Sequence, residues 1–65
     1  MKITINGTLT EVAATTLNDV LEETGYGGAK VATAVNEAFV PATLRATHPI
    51  TEGDRIEIVA PRQGG

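Results

Sequence analysis

The chain has 65 residues, with eight Asp and Glu against five Lys and Arg, no cysteine, no serine, and Tyr26 and Phe39 as its whole aromatic content. That length allows one domain with a thin core, since a chain of this size buries only about 60% of the surface it exposes when unfolded. The composition rules out disulfides and thiolate chemistry, and the acidic balance with two aromatic residues argues against nucleic acid, which asks for Lys and Arg on phosphates and aromatic faces under bases.

Lys2-Ile3-Thr4-Ile5 alternates polar and apolar residues and predicts a half-buried strand. Asn6-Gly7 tolerates the positive φ angles of a type I′ turn, a strong hairpin signal. Thr8 to Val12 then reads as the returning strand. Thr15 or Thr16 offers an N-cap for a short helix, with Asp19 near its positive end. Leu17, Val20 and Leu21 fall on one face of that helix, and Asn18, Asp19, Glu22 and Glu23 on the wet face. Gly25 suits its C-terminal stop.

Gly25-Tyr26-Gly27-Gly28 predicts a loop. It follows a helix, whereas phosphate-cradling loops lead from a strand into a helix N-terminus. Lys30 to Val35 reads as a strand and Asn36-Glu37 as a turn. Ala38-Phe39-Val40 is a short strand stopped by Pro41, which suits a sheet edge. Residues 42–50 fit either a turn of helix or a loop. Thr51-Glu52-Gly53-Asp54 is a tight turn, and Arg55 to Ala60 alternates again, with Ile56 and Ile58 on one face. Residues 1–60 thus form one α+β domain of two layers, and Pro61-Arg62-Gln63-Gly64-Gly65 is expected to be a flexible tail.

Side-chain chemistry finds little support. His48 stands alone before Pro49, Glu22 and Glu23 read as a solvated helix face, and Asp54 reads as a turn former. No metal site is expected. No apolar run approaches the ~20 residues that span a bilayer, and the N-terminus enters a strand pattern with no signal-peptide features, so a soluble cytoplasmic protein is expected. The tail is the remaining candidate. Five extended residues reach about 16–18 Å, and Gly64 and Gly65 pass through narrow channels. The terminal carboxylate is ionised at neutral pH and is a serviceable nucleophile toward ATP. The residues alone leave open whether Gly-Gly is an inert end or an acceptor.

The whole chain resembles the ThiS family, the sulfur carriers of thiamin thiazole biosynthesis, within the ubiquitin-like β-grasp fold. The resemblance is carried by Ile3-Thr4-Ile5-Asn6-Gly7, Thr16-Leu17-Asn18-Asp19-Val20-Leu21, Val35-Asn36-Glu37 and Phe39-Val40-Pro41. Its most specific part is Glu52-Gly53-Asp54-Arg55-Ile56-Glu57-Ile58-Val59 running into Pro61-Arg62-Gln63-Gly64-Gly65. It implies a mixed sheet of four to five strands with one main helix on one face, and the first and last strands parallel at its centre. It also implies that the chain is no enzyme and binds no cofactor of its own. A ThiF-like adenylating enzyme would activate Gly65 with ATP and Mg. Sulfur from a cysteine desulfurase-type persulfide would replace AMP, and a ThiG-like thiazole synthase would accept it from the thiocarboxylate.

Two other readings keep the same fold and tail: a sulfur carrier for molybdopterin or another pathway, and a ubiquitin-like modifier joined to lysines through Gly65. A third is a binding module with an inert tail. Val59, with Phe39 and Val40, is the expected docking patch on the sheet's open face, and Arg62 is a candidate partner for an acid on the enzyme. The free chain is expected to be a monomer.

Overall fold

A computed structural model describes residues 1–60. The expected tail, with Arg62, Gly64 and Gly65, lies outside the described residues. The elements are β1 (Lys2–Ile5), β2 (Thr8–Glu11), α1 (Leu17–Glu23), β3 (Ala32–Val35), β4 (Ala38–Val40), a 3-10 helix (Ala42–Thr47) and β5 (Arg55–Val59). The five strands form one mixed sheet in the order β2-β1-β5-β3-β4. β1 and β5 run parallel side by side, and the other neighbours are antiparallel. This is the expected β-grasp arrangement.

Two hairpins set the sheet's phase. Asn6 and Gly7 take φ of 51° and 83°, and Asn36 and Glu37 take 50° and 73°. Both are two-residue turns with positive φ throughout, whose twist matches that of the strands they join. The second places Val35 opposite Ala38 and Thr33 opposite Val40. Thr33 and Val35 point inward, so Val40 does too.

Helix α1 starts where Thr16 accepts a hydrogen bond from the Asp19 N–H at 3.2 Å. It stops at Thr24, with Gly25 following at φ 93°. Its buried residues are Leu17, Val20 and Leu21, which meet Ile3, Val35, Val40, Ile56 and Ile58 from the sheet. Seven residues are too few for a stable free helix, so α1 depends on this packing. Glu23, expected on a solvated face, instead holds a loop in place. Its carboxylate accepts from the Ala13 and Ala14 N–H groups at 3.0–3.1 Å. Residues 42–50 resolve into the 3-10 helix plus an extended return at Pro49 that bridges to Thr16. Arg45 ties that segment down, donating to the Thr33 hydroxyl at 3.0 Å and the Val31 carbonyl at 2.6 Å. The buried Thr33 hydroxyl in turn donates to the Val40 carbonyl at 2.8 Å, which satisfies a polar group the core would otherwise penalise.

The observed strands are shorter than expected at three ends, β5 stopping at Val59 rather than Ala60. β2 stops at Glu11, and Val12 drops into the core; β3 starts at Ala32 rather than Lys30. No helix among the described residues is long and apolar enough to cross a membrane.

Candidate functional site

The helix covers one face of the sheet, and the other is open. Along β5, Ile56 and Ile58 are 1% and 5% exposed, whereas Arg55, Glu57 and Val59 face outward. The register extends that outward row across the sheet. Glu57 lies opposite Ala34, Ala34 opposite Phe39, and Val59 opposite Ala32. Val59 is 62% exposed and Phe39 69%. The small Ala32 and Ala34 stand between these two large side chains in the register, and the four residues make an apolar strip. It lies at the end of β5, one residue before the chain reaches residue 61.

The structure therefore redraws the expected patch. Phe39 and Val59 share the open face. Val40 does not: it is 4% exposed and belongs to the core. The two-residue turn at Asn36-Glu37 puts Val40 opposite the inward Thr33 and leaves Phe39 opposite the outward Ala34. Ala32 and Ala34 take the place Val40 was expected to fill. Arg62, Gly64 and Gly65 lie outside the described residues.

Apart from Leu9, which is 66% exposed opposite Thr4 at the other side of the sheet, the rest of the open face is polar. A hollow of about 360 Å³ is lined by Thr4, Gly7, Glu37, Arg55, Ile56 and Glu57. Arg55 and Glu37 pair across it at 3.8 Å, with both side chains mostly in water. An exposed pair of this kind adds little to stability. The hollow contains neither histidine nor a nucleophile with a base beside it, so it has no constellation for acid–base or covalent catalysis. Among the described residues no group of three or more His, Asp or Glu is placed to hold a metal ion.

Asp54, expected as a turn former, does more than close its turn. Desolvation pushes its carboxyl upward, but hydrogen bonds from the Thr51 N–H, the Asn36 carboxamide and the Thr51 hydroxyl, with His48 nearby, outweigh that and hold it below the usual 3.8. The bonds measure 2.9, 3.0 and 3.1 Å. Asp54 thereby fastens the entry of β5 to both flanking turns.

Sequence reasoning missed a role for Asn6 and Asn36, which it assigned only to turns. Each sends its carboxamide to β5. Asn36 accepts from the Arg55 N–H at 3.0 Å, and Asn6 exchanges two bonds with Ile58. The available signal was Asn, rather than Gly, at the first position of each turn.

Comparison with known proteins fits this geometry. The crystal structure of a thiamine biosynthesis protein (ThiS) from Geobacter metallireducens superposes with a TM-score of 0.85 over 100% of both chains, at 20% sequence identity, a likeness that establishes the shared fold. No curated protein matches the chain. The ThiS family model matches residues 3–65, nearly the whole sequence and including its terminal Gly-Gly. The chain belongs to the ThiS family.

Proposed function

We propose that this protein is the sulfur carrier of thiazole formation in thiamin biosynthesis, and that its reactive group is the Gly65 carboxylate. The observation that carries the reading is the family match running through the terminal Gly-Gly. It is supported by a scaffold whose described residues hold no catalytic constellation of their own. The protein acts as a carrier and not as a catalyst.

The chemistry follows from the carboxylate. In the active site of a separate ThiF-like enzyme, with ATP and Mg supplied there, a Gly65 oxygen attacks the α-phosphorus of ATP and pyrophosphate leaves. The acyl-adenylate is then open to a sulfur nucleophile. A persulfide from a cysteine desulfurase-type donor attacks the carbonyl and displaces AMP. A thiol cleaves the resulting acyl disulfide, leaving the C-terminal thiocarboxylate, and a ThiG-like thiazole synthase takes up the sulfur. Two glycines before the carboxylate suit a narrow channel, because neither carries a side chain.

The open-face strip of Val59, Ala32, Ala34 and Phe39 is the docking surface for the adenylating enzyme. It is apolar, it presents two large exposed side chains, and the chain leaves the sheet at its border. The net charge of −3 favours a partner with a basic rim, which speeds encounter. Arg62 is proposed to meet an acidic group on that partner.

Deleting Gly65, or adding one glycine after it, tests the reading. Pyrophosphate release with the cognate ThiF-like enzyme should fall to background in both variants while thermal unfolding is unchanged. Full activity in either variant would refute the assignment of Gly65. Conjugates to lysine would instead favour a protein modifier.

A further inference from the structure

The parallel pairing of β1 with β5 stops before β5 does. The Thr4 N–H donates to the Asp54 carbonyl and the Asn6 N–H to the Ile56 carbonyl, each step advancing two residues on both strands. The next step would bring residue 8 to the Ile58 carbonyl. Thr8 is not there, because the chain has turned at Asn6-Gly7 and Thr8 already pairs with Ile5 in the hairpin. A central strand would thus present an unbonded N–H and carbonyl at its last buried residue.

Asn6 fills the gap with its side chain. Its Nδ2 donates to the Ile58 carbonyl at 3.0 Å, and its Oδ1 accepts from the Ile58 N–H at 2.9 Å. The carboxamide has the same donor and acceptor set as a peptide group, so it extends the ladder by one unit where the backbone has departed. The left-handed conformation at φ 51° suits this, since Asn adopts it more readily than other residues with a side chain.

Ile58 precedes Val59 and Ala60, the last residues before residue 61. On the far side of β5, Val59 is held by Ala32. On the near side, the Asn6 carboxamide makes the last bond among the described residues. We propose that Asn6 is a positioning residue: by bonding both backbone groups of Ile58 it fixes the direction in which the chain leaves the sheet, and so the approach of the C-terminal carboxylate to the adenylating centre. This rests on the carrier reading given above. Asn6 touches no reacting atom.

Asn36 supplies a matched control. It is also an Asn with φ near 50° in a two-residue turn, and its side chain also bonds β5, but at Arg55. That is three residues earlier in the strand, about 10 Å from Ile58. Asn6→Gly and Asn36→Gly each remove a carboxamide and keep a turn that glycine accepts. A merely structural role predicts similar loss of stability and no difference in chemistry between them.

The test measures single-turnover adenylation by the cognate ThiF-like enzyme, well below the unfolding temperature, together with amide hydrogen exchange of the free proteins. In Asn6→Gly the rate of adenylate formation should fall by about tenfold to a hundredfold, the scale for a reacting group misplaced by about 1 Å. The half-saturating concentration should stay within about twofold, because the docking strip is untouched. Asn36→Gly should keep the rate of the unaltered protein. Ile58 amide exchange should accelerate in Asn6→Gly and not in Asn36→Gly. Equal rates for the two variants, or unaltered Ile58 exchange in Asn6→Gly, would overturn the proposal. If the unaltered protein is not adenylated, the carrier reading fails, and the positioning role falls with it even if Ile58 exchange responds.

Discussion

The two faces of one strand divide the labour in this protein. On β5, Ile56 and Ile58 meet the helix and are almost wholly buried, while Glu57 and Val59, their immediate neighbours, stand in water. The strand period of two produces the division, since successive side chains point to opposite faces. The helix-side face commits its apolar residues to a thin core that 65 residues can barely supply. The open face holds few residues that the fold needs, and it is where large apolar side chains remain exposed beside the chain's exit. A substitution's effect should therefore depend on which face it strikes more than on the residue type it removes.

The largest break is expected on the helix side. Ile56→Ala deletes a buried side chain against α1 and should cost about 2–5 kcal/mol, enough to leave much of a domain of this size unfolded at 37 °C. Denaturant titration measures it. A loss below about 1 kcal/mol would mean that the core is not where stability resides.

Asp54 sits where both faces are fastened to the turns, and its effect should be intermediate. Asp54→Asn should cost about 1–2 kcal/mol through its bonds to Thr51 and Asn36. The pH dependence has a definite sign. The carboxyl is held below its ordinary 3.8 in the folded protein, so its contribution is present above that value. It disappears as pH falls through the lower, folded value. Unfolding free energy should decline below about pH 4, and less so in Asp54→Asn than in the unaltered protein. Equal declines in both would remove Asp54 from the account.

On the open face, Val59→Asp should cost at most about 1 kcal/mol, the span of strand propensity. It should raise the half-saturating concentration in adenylation severalfold, because a charge replaces an apolar contact in the docking strip. Unchanged kinetics with an intact fold would remove the strip from the proposal. The smallest effect is expected at the second hairpin tip, with the opposite sign. Glu37 holds φ 73°, a conformation that suits glycine, and gives up only a water-exposed ion pair with Arg55. Glu37→Gly should raise stability by about 0.5 kcal/mol, which thermal unfolding measures.

Much of this was legible from the residues. Alternation announced β1 and β5, Asn6-Gly7 announced the first hairpin, and Thr16 with Leu17, Val20 and Leu21 announced the helix and its inner face. The pairing of β1 with β5, separated by most of the chain, came from family resemblance, because local patterns do not encode which distant strands meet. The strand at Ala38–Val40 has three residues, too few to show its phase. Only the two-residue loop before it decides that Val40 turns in and Phe39 out. The 3-10 helix buries none of its residues and left no periodicity to read; Arg45 holds it by reaching across to Thr33 and Val31. Glu23 looked like a solvated helix charge because its partners, the N–H groups of Ala13 and Ala14, belong to a loop whose path the sequence does not reveal. Of the candidate site, Val59 was legible as an open-face residue from the alternation of β5, Phe39 and Val40 were not told apart, and the Gly64-Gly65 terminus was legible as sequence alone.

The most direct test weighs the intact protein after incubation with the ThiF-like enzyme, ATP, Mg and a persulfide donor. The account predicts one added mass equal to the difference between a sulfur and an oxygen atom, localised to Gly65 by fragmentation and absent when ATP is withheld. A protein that keeps its original mass under conditions where the enzyme is active, or that carries sulfur anywhere other than its last residue, would contradict it.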